Sequence, residues 1–425
     1  MVNMIKQSLL KGIYLFTLKF KPILKKIIPE SIKSIGRSLE NKLLRSDYKI
    51  NYKIDDALKC GINLIGYSHA EMGIGESCRL AANAIQTTGI PFGIINFSAG
   101  NPGRMNDLSW THKEMEAAPY RANIFHINAE QMPLAYIHLG KNVFNGHFNI
   151  GYWHWELPDF PDEWCNSFKL VQEIWVPTNF VRDSISPKSP VPVVRIPHAI
   201  QVNYDHNVHR DFFMLPETPF LFLSMYDTNS YQERKNPQAA IDAFEHAFGK
   251  DDVSVGLVIK VTNSESNPIE MDKLKQKIQG SKNIYLITDF MGRNEVNALI
   301  NSIDCFVSLH RSEGFGLGLA EAMYLGKPVI GTNWSGNIDF MNGENSCVVD
   351  YKLIEVGNDH GPYKADQVWA DPDIEQAAYY MRKVVTDLEW RETIAINGQE
   401  TIRGSFSPQV VGGMIKQRLT KLGLL

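Results

Sequence analysis

The chain has 425 residues, of which 44% are hydrophobic and 21% are charged, and its formal net charge is -4. This length exceeds what one hydrophobic core usually supports, so two domains are expected. The composition is that of an ordinary globular protein, which excludes a disordered chain. We expect no nucleic acid among its partners.

The positive charge is concentrated in the first 50 residues. They hold eleven Lys and Arg against three acids, a balance of +8 that leaves -12 for the remaining 375 residues. Lysines such as Lys6, Lys11 and Lys19 interrupt every apolar run that could span a bilayer, and no clear cleavage site of a secretory signal follows. We expect a basic amphipathic extension over residues 1–55. Two interpretations stay open for residues 1–45: a solvated extension that packs on the body, or a surface that lies on anionic lipid.

Apolar runs alternate with helical patterns from about residue 60 onward, which is typical of parallel sheets covered by helices. The first series of predicted strands comprises Ile62–Tyr67, Phe92–Phe97, Asn123–Ile127, Phe148–Trp153, Glu173–Pro177 and Val191–Ile196. The second series comprises Phe220–Met225, Val255–Val261, Asn283–Thr288, Cys305–Leu309, Val329–Thr332 and Ser346–Val349. The polar, strand-poor stretch Gln201–Pro219 separates them.

The pattern predicts an α/β fold with two Rossmann-like, doubly wound domains that face each other across a cleft. The predicted domains are residues 56–205 and 206–405, and residues 406–425 form a last helix. A ligand of such a fold binds at the carboxyl ends of the strands, so we expect the site in the cleft.

The five cysteines are scattered and no Cys-x-x-Cys occurs, so neither a zinc site nor a disulfide framework is indicated. They are Cys60, Cys78, Cys165, Cys305 and Cys347. A reducing, cytoplasmic location fits this pattern best. We expect neither a metal nor another cofactor.

Two glutamates with the spacing Glu-x7-Glu, Glu313 and Glu321, bracket a glycine-rich turn between a strand and a helix. Free backbone N–H groups at a helix start favour an anion, and Gly314 and Gly316 allow the backbone to approach it closely. Carboxylates on either side accept hydrogen bonds from hydroxyl groups. The arrangement suits a phosphorylated, hydroxyl-rich ligand such as a nucleotide sugar, whereas the pair alone could be a helix-terminal acid and a solvated loop acid.

The whole block from His310 to Asn337, with Glu-Gly-Phe-Gly, Glu-Ala-Met and Gly-Lys-Pro-Val, resembles the donor-site signature of the family-4 retaining glycosyltransferases of the GT-B type. The resemblance covers most of residues 60–425 and implies that the last helix crosses back onto the first domain. It also implies that Glu313 holds sugar hydroxyls, that Glu321 holds the ribose hydroxyls, and that Gly314, Phe315 and Gly316 contact the donor.

The first strand is followed by Ser-His-Ala-Glu-Met-Gly-Ile-Gly-Glu-Ser, which contains Gly73 and Gly75. A nicotinamide-binding fingerprint needs a third glycine where Cys78 stands, so a dehydrogenase is disfavoured. No phosphate-binding loop of the Gly-x4-Gly-Lys-Ser/Thr type occurs either. Gly73 and Gly75 resemble the N-terminal glycine loop of the same family, near donor phosphate and acceptor; the alternative is a plain tight turn before a helix.

The segment Gly-Tyr-Trp-His-Trp-Glu-Leu-Pro closes the fourth predicted strand. The resemblance implies that His154 faces the donor sugar, and Trp153 and Trp155 offer flat apolar faces for a ring. The alternative for His154 is a packed, satisfied side chain, and structural packing is the expectation for His126.

Three cations follow strands of the second domain. Arg234 and Lys235 precede a helix opened by Asn-Pro, where they can neutralise a diphosphate leaving group. In the family such an Arg and Lys are usually separated, so Lys235 is the safer assignment. Lys260 ends a buried strand, which is costly for an unpaired lysine and suggests an anion partner; the alternative is that it reaches solvent at the strand end.

The resemblance implies a retaining hexosyltransferase that uses a nucleoside-diphosphate sugar and a glycan acceptor. The basic N-terminal extension would suit an acceptor that is linked to lipid at the inner face of the cytoplasmic membrane. Polysaccharide assembly follows as the expected process. Two other functions stay open: a nucleotide-sugar isomerase such as a 2-epimerase, and a non-catalytic carbohydrate-binding subunit.

Overall fold

The computed structural model describes residues 48–101 and 103–425. The predicted extension over residues 1–55 lies almost wholly outside this part, and the lipid-contact hypothesis for residues 1–45 lies outside it entirely. In the part that is described, no helix combines the length and the apolarity needed to cross a membrane.

The first domain is built on a six-stranded parallel sheet in the order β2-β1-β3-β4-β5-β6. Its strands are β1 (Lys59–Gly66), β2 (Phe92–Asn96), β3 (Tyr120–His126), β4 (Phe148–Tyr152), β5 (Glu173–Val176) and β6 (Val193–Arg195). Its helices are α1 (Gly73–Gln86), α2 (Met132–Leu139), α3 (Lys141–Phe144) and α4 (Asn179–Ile185).

The second domain contains another six-stranded parallel sheet, in the order β12-β11-β10-β7-β8-β9. Its strands are β7 (Phe220–Asp227), β8 (Val255–Thr262), β9 (Ile284–Ile287), β10 (Cys305–Ser308), β11 (Val329–Thr332) and β12 (Cys347–Val349). Its helices are α5 (Gln232–Lys235), α6 (Pro237–Phe248), α7 (Pro268–Lys277), α8 (Arg293–Ser302), α9 (Leu317–Tyr324), α10 (Ile374–Thr386) and α11 (Leu388–Ser405). The two predicted strand series are therefore confirmed.

Each sheet is buried on both faces, because neighbouring residues of a strand point to opposite sides. In β1, Leu64 contributes to one hydrophobic cluster and Ile65 to another. In β7, Phe222 and Leu223 divide in the same way between two clusters of the second domain. Helices cover all four faces, and this is the doubly wound architecture expected from the near-continuous apolar strands.

The last helix, α12 (Pro408–Lys421), returns to the first domain and packs on α1. Arg418 pairs with the buried carboxylate of Glu173 on β5, with Nε 2.9 Å from Oε1. Gly412 permits the close approach, since a Cβ there would lie 2.4 Å from the carbonyl oxygen of Ala84. The expected crossing of the terminal helix is thus present.

One element was not predicted. The segment after β12 forms an antiparallel hairpin of β13 (Tyr351–Glu355) and β14 (Val368–Pro372). Its loop reaches the first domain, where the hydroxyl of Tyr363 donates a hydrogen bond to Glu156. This hairpin places a side chain of the second domain directly against the wall that the first domain contributes to the cleft.

Candidate active site

A cleft of about 520 Å³ lies between the two domains, at the carboxyl ends of their strands. Nearly all of the predicted site residues line it, although they are separated by up to 248 positions in the chain. They are Gly73, His154, Arg234, Lys235, Lys260, Glu313, Gly314, Phe315, Gly316 and Glu321. Parallel strands make this convergence possible, because their carboxyl ends meet at one edge of each sheet.

The glycine-rich turn has the geometry that its sequence suggested. Gly316 has a φ of 94°, in the left-handed region that favours glycine, and it immediately precedes α9. The turn also lies against a neighbouring backbone, since a Cβ on Gly336 would be 2.3 Å from the carbonyl oxygen of Gly314. The hydroxyl of Thr178 in the first domain donates to that same carbonyl at 2.9 Å, so the turn is docked across the domain junction.

Glu313 forms ion pairs with Arg234 and Lys235, the two adjacent cations that were predicted to neutralise a diphosphate. Its Oε1 accepts a hydrogen bond from the Lys235 ammonium, and its Oε2 lies 3.4 Å from Nη1 of Arg234. Burial alone would raise the pKa of Glu313, but Lys235 and Arg234 outweigh it and lower the pKa to about 2. The carboxylate is therefore ionised at neutral pH and holds the two cations in the cleft.

Glu321 lies at the opposite end of the turn and is buried. It pairs with Arg293, whose Nε is also 3.5 Å from Glu76 on α1 of the first domain. Burial raises the pKa of Glu321, and the Arg293 guanidinium partly counters it. The second glutamate of the pair is thus part of an ion-pair chain that crosses the cleft.

Lys260 is 2% exposed, so the alternative in which it reaches solvent is wrong. Its ammonium donates to the carbonyl oxygen of Val261 at 3.1 Å. Within the described residues, no carboxylate lies at ion-pair distance from it, and burial lowers its pKa more than the charges of Asp289 and Asp227 raise it. A buried ammonium that lines the cleft with no carboxylate in direct contact favours the binding of an anion.

His154 is one of a group of stacked rings on the first domain. Its Nε2 lies 3.2 Å from Nε2 of His198, and its Nδ1 lies 3.2 Å from the side-chain oxygen of Asn128. Burial lowers the pKa of His154 to about 4, so the imidazole is neutral at neutral pH. His198 in turn contacts the ring of Phe315 edge-on at 4.8 Å, which links this group to the glycine-rich turn. The packing expected for His126 is confirmed, since it stacks on Tyr152 at 4.3 Å.

Three expectations need correction. Gly75 does not line the cleft: it is buried in the first turn of α1, and a Cβ there would lie 2.1 Å from the carbonyl oxygen of Ala70. Trp153 and Trp155 are 0% and 1% exposed, so neither offers a face to a sugar ring. Both indoles pack in the hydrophobic core of the first domain.

Glu156, His198 and Arg293 are among the further residues that line the cleft and that sequence reasoning missed. His198 follows β6 by three positions, and the rule that sites lie at the carboxyl ends of strands could have identified it. Glu156 stands in the same aromatic segment as His154. Arg293 opens α8 and carried no comparable signal.

Comparison with known sequences agrees with this geometry. Residues 209–401 match the family described as glycosyl transferases group 1. The capsular polysaccharide biosynthesis glycosyltransferase CapM of Staphylococcus aureus is 33% identical over 112 residues, which is 26% of this chain and 24% of CapM. The human alpha-1,3/1,6-mannosyltransferase ALG2 is 22% identical over 213 residues, 48% of this chain and 45% of ALG2. The chain thus spans less than half the length of the curated relatives it matches.

Comparison with solved structures gives the same fold over most of the chain. Anabaena HepE in complex with UDP and glucose superposes with a TM-score of 0.59 at 12% identity, covering 85% of this chain and 100% of that one. The sucrose-phosphate synthase of Thermosynechococcus elongatus gives a TM-score of 0.62 at 13% identity, covering 86% and 99%. Residues 209–401 therefore match the glycosyl transferases group 1 family, within a chain that has the two-domain GT-B fold.

Proposed function

We propose that the chain is a retaining glycosyltransferase, which moves a hexose from a nucleoside-diphosphate sugar to a hydroxyl group of a glycan acceptor. The observation that carries the proposal is the convergence of Arg234, Lys235 and Lys260 with the glycine-rich turn in one interdomain cleft. Three cations and the free amides of a helix start provide a place where a diphosphate would be stabilised as it leaves.

The known proteins give support from outside the chain. The pneumococcal O-GlcNAc transferase GtfA was solved with UDP and GlcNAc, and HepE with UDP-glucose. CapM is described as a capsular polysaccharide biosynthesis enzyme. The ligands of these two structures and the process named for CapM support a nucleoside-diphosphate sugar as the donor and a glycan as the acceptor of this chain.

The proposed roles follow from the positions of the side chains. Glu313 would accept hydrogen bonds from sugar hydroxyls while it holds Lys235 and Arg234 at the diphosphate. Glu321 would bind the ribose hydroxyls through the oxygen that Arg293 does not engage. His154 would face the sugar as a neutral imidazole. In a front-face mechanism the leaving phosphate oxygen takes the acceptor proton, so the protein's main contribution is electrostatic stabilisation of the departing group.

We further propose that the enzyme acts in the cytoplasm, in polysaccharide assembly, on an acceptor linked to lipid at the inner face of the membrane. The basic residues 1–45 motivate this part of the proposal, through their attraction to anionic lipid. Equal co-sedimentation with anionic vesicles of the full chain and of a chain that starts at Asn51 would reject the lipid contact.

The function is tested with purified full-length protein and a panel of UDP-glucose, UDP-N-acetylglucosamine and GDP-mannose, with alkyl glycosides as acceptors. Release of nucleotide that increases with acceptor, and a glycoside product of retained configuration, is expected. Sugar conversion without acceptor would indicate an isomerase instead. Neither reaction, with sugar binding only, would indicate a non-catalytic subunit.

Substitutions then assign the reaction to the cleft. Lys260→Ala and Glu313→Ala should each lower kcat/KM by about 10²-fold or more. The first change removes a cation that would stabilise the diphosphate, and the second removes the carboxylate that would hold sugar hydroxyls and that positions Lys235 and Arg234. Lys282→Ala removes an exposed lysine of the same domain and is the matched control. Near-normal turnover in both cleft variants would reject the site.

A further inference from the structure

A carboxylate that the family signature does not include lies in the cleft on the wall of the first domain. Glu156 follows β4 by four residues and lines the cleft beside His154. Its Cγ would be 3.9 Å from a Cβ placed on Gly314, so the side chain lies directly over the glycine-rich turn. It therefore faces the reacting end of the proposed donor site from the opposite domain.

Contacts from the second domain hold Glu156 in place. The hydroxyl of Tyr363 donates to Oε2 at 3.1 Å, and the hydroxyl of Ser312 donates to the backbone carbonyl oxygen of Glu156. The Tyr363 ring is itself fixed between Trp155 at 5.4 Å and Tyr231 at 5.3 Å. Both domains thus set the position of one carboxylate.

The Glu156 carboxylate has fewer polar partners than the Glu313 carboxylate. Glu313 has two cationic partners in direct contact, whereas no Lys or Arg of the described ranges lies within ion-pair distance of Glu156, whose charge acts on the Arg234 guanidinium from farther away. In the same ranges, Oε1 of Glu156 accepts no hydrogen bond. A carboxylate inside a cleft is stabilised by hydrogen-bond donors, and a hydroxyl group is the donor that a glycan supplies.

We propose that Glu156 positions the acceptor, by accepting at Oε1 a hydrogen bond from a hydroxyl group next to the one that attacks the sugar. The inference rests on the proposed transferase function. In the step, the acceptor oxygen forms a bond to the anomeric carbon as the bond from that carbon to the diphosphate oxygen breaks. The acceptor proton passes to the leaving phosphate oxygen, and the electron pair of the broken bond stays on the diphosphate. Glu156 orients the attacking oxygen through the neighbouring hydroxyl group and takes no proton in the step.

The location of Glu156 separates this role from donor binding. The cations and the turn that would hold the diphosphate belong to the second domain, and Glu156 belongs to the first. Removing its charge should therefore affect the reaction with the acceptor much more than the affinity for nucleotide.

The test uses full-length wild type, Glu156→Gln, Glu156→Asp and Tyr363→Phe, with Glu163→Gln as the matched control on an exposed acid of the same domain. Kinetics are measured with the donor and alkyl glycoside that the panel identifies, and UDP or GDP affinity by calorimetry. Glu156→Gln should lower kcat/KM for the acceptor by about 10- to 100-fold, as expected for a hydrogen bond to a charged group. The Kd of the nucleotide should change less than about threefold.

The other variants distinguish positioning from folding. Glu156→Asp should recover part of the loss, and Tyr363→Phe should lose less than Glu156→Gln, because it removes only the group that holds the carboxylate. A higher donor KM with an unchanged acceptor reaction would overturn the inference, as would wild-type kinetics in Glu156→Gln. A wild-type protein that releases nucleotide from no donor would overturn the proposed function, and the inference with it.

Discussion

The two glutamates of the Glu-x7-Glu pair lie on either side of the glycine-rich turn and occupy different electrostatic environments. Glu313 lies between two cations that lower its pKa to about 2 despite burial. Glu321 is buried against a single guanidinium, and its pKa is raised. The spacing in the chain is common to both residues, but the charges around them come from other elements, and those charges decide how each carboxylate behaves.

The ion pairs of Glu313 predict a specific dependence of stability on pH. Because its pKa in the folded protein is about 2, below the ordinary value of 4.5, the unfolded chain binds the proton more readily. The carboxylate therefore stabilises the fold fully above about pH 5, and this contribution is lost as the pH falls towards 2. Glu313→Gln should be less stable than wild type by about 3 kcal/mol at pH 6, and the difference should shrink by pH 3.

Urea unfolding at the two pH values measures this difference. Glu344→Gln, a change to an exposed acid of the same domain, should follow the wild-type curve. A gap between wild type and Glu313→Gln that stays constant from pH 6 to pH 3 would contradict the lowered pKa.

At the scale of single residues, the sequence predicted side chains whose position follows from strand ends. Lys260 was found because a lysine that ends a buried apolar strand must lie near the carboxyl edge of the sheet. Trp153 and Trp155 were wrongly placed, since whether a residue after a strand turns towards the cleft or the core depends on the loop that follows. The position of Glu156 could not be predicted from its neighbours in sequence, because its hydrogen-bond partner Tyr363 lies 207 positions away.

The terminal helix shows how one element joins the two domains. α12 follows the second domain in the chain but packs on α1 of the first. Its two adjacent glycines have opposite surroundings: Gly412 is buried against the carbonyl oxygen of Ala84, and Gly413 is exposed with open space around it. This pair provides a matched test of the crossing.

Gly412→Ala should destabilise the protein by about 1–3 kcal/mol, because its Cβ would lie 2.4 Å from the Ala84 carbonyl oxygen and force the helices apart. Gly413→Ala should instead stabilise it by about 0.4–1 kcal/mol, by reducing the entropy of the unfolded chain. Thermal and urea unfolding of the two variants check the prediction. Equal changes in both would show that α12 does not pack on α1 in solution.

The strands and the last helix were predictable because their apolar periodicity is local. The helix expected after the glycine-rich turn is also present, as α9. Two helices, α10 and α11, follow β14 in place of one continuous helix, because Asp387 caps the second by accepting a hydrogen bond from the backbone N–H of Trp390. The hairpin of β13 and β14 was missed, since its outer residues are largely exposed and carry no strong alternation.

At the scale of the whole molecule, polar contacts across the junction fix how the two domains face each other. Asp339 of the second domain, with a side chain 4% exposed, lies 2.6 Å from Nε of Arg195 in the first domain. Its Oδ2 also accepts a hydrogen bond from the backbone N–H of Asn179 at 3.0 Å. Together with the bond from Thr178 to Gly314, these contacts dock the glycine-rich turn on the first domain.

Arg195→Met should leave the Asp339 carboxylate buried with too few partners, which we expect to cost about 2 kcal/mol and to widen the cleft. Small-angle scattering should show a larger radius of gyration, and unfolding experiments the loss of stability. The double variant Arg195→Met/Asp339→Asn should recover part of that loss, because the unpaired charge is gone. Strictly additive effects would show that the contact does not couple the domains.

The sequence by itself determined the α/β class, the two series of parallel strands and a set of residues at their carboxyl ends. It could do so because apolar periodicity and glycine turns act over a few residues. The tertiary structure decided which of those residues meet, which are buried and which charges surround them. The surroundings of the three cleft glutamates depend on contacts between segments that are distant in the chain, and only the tertiary fold brings those segments together. These contacts join Glu313 to its two cations, Glu321 to Arg293, and Glu156 to Tyr363.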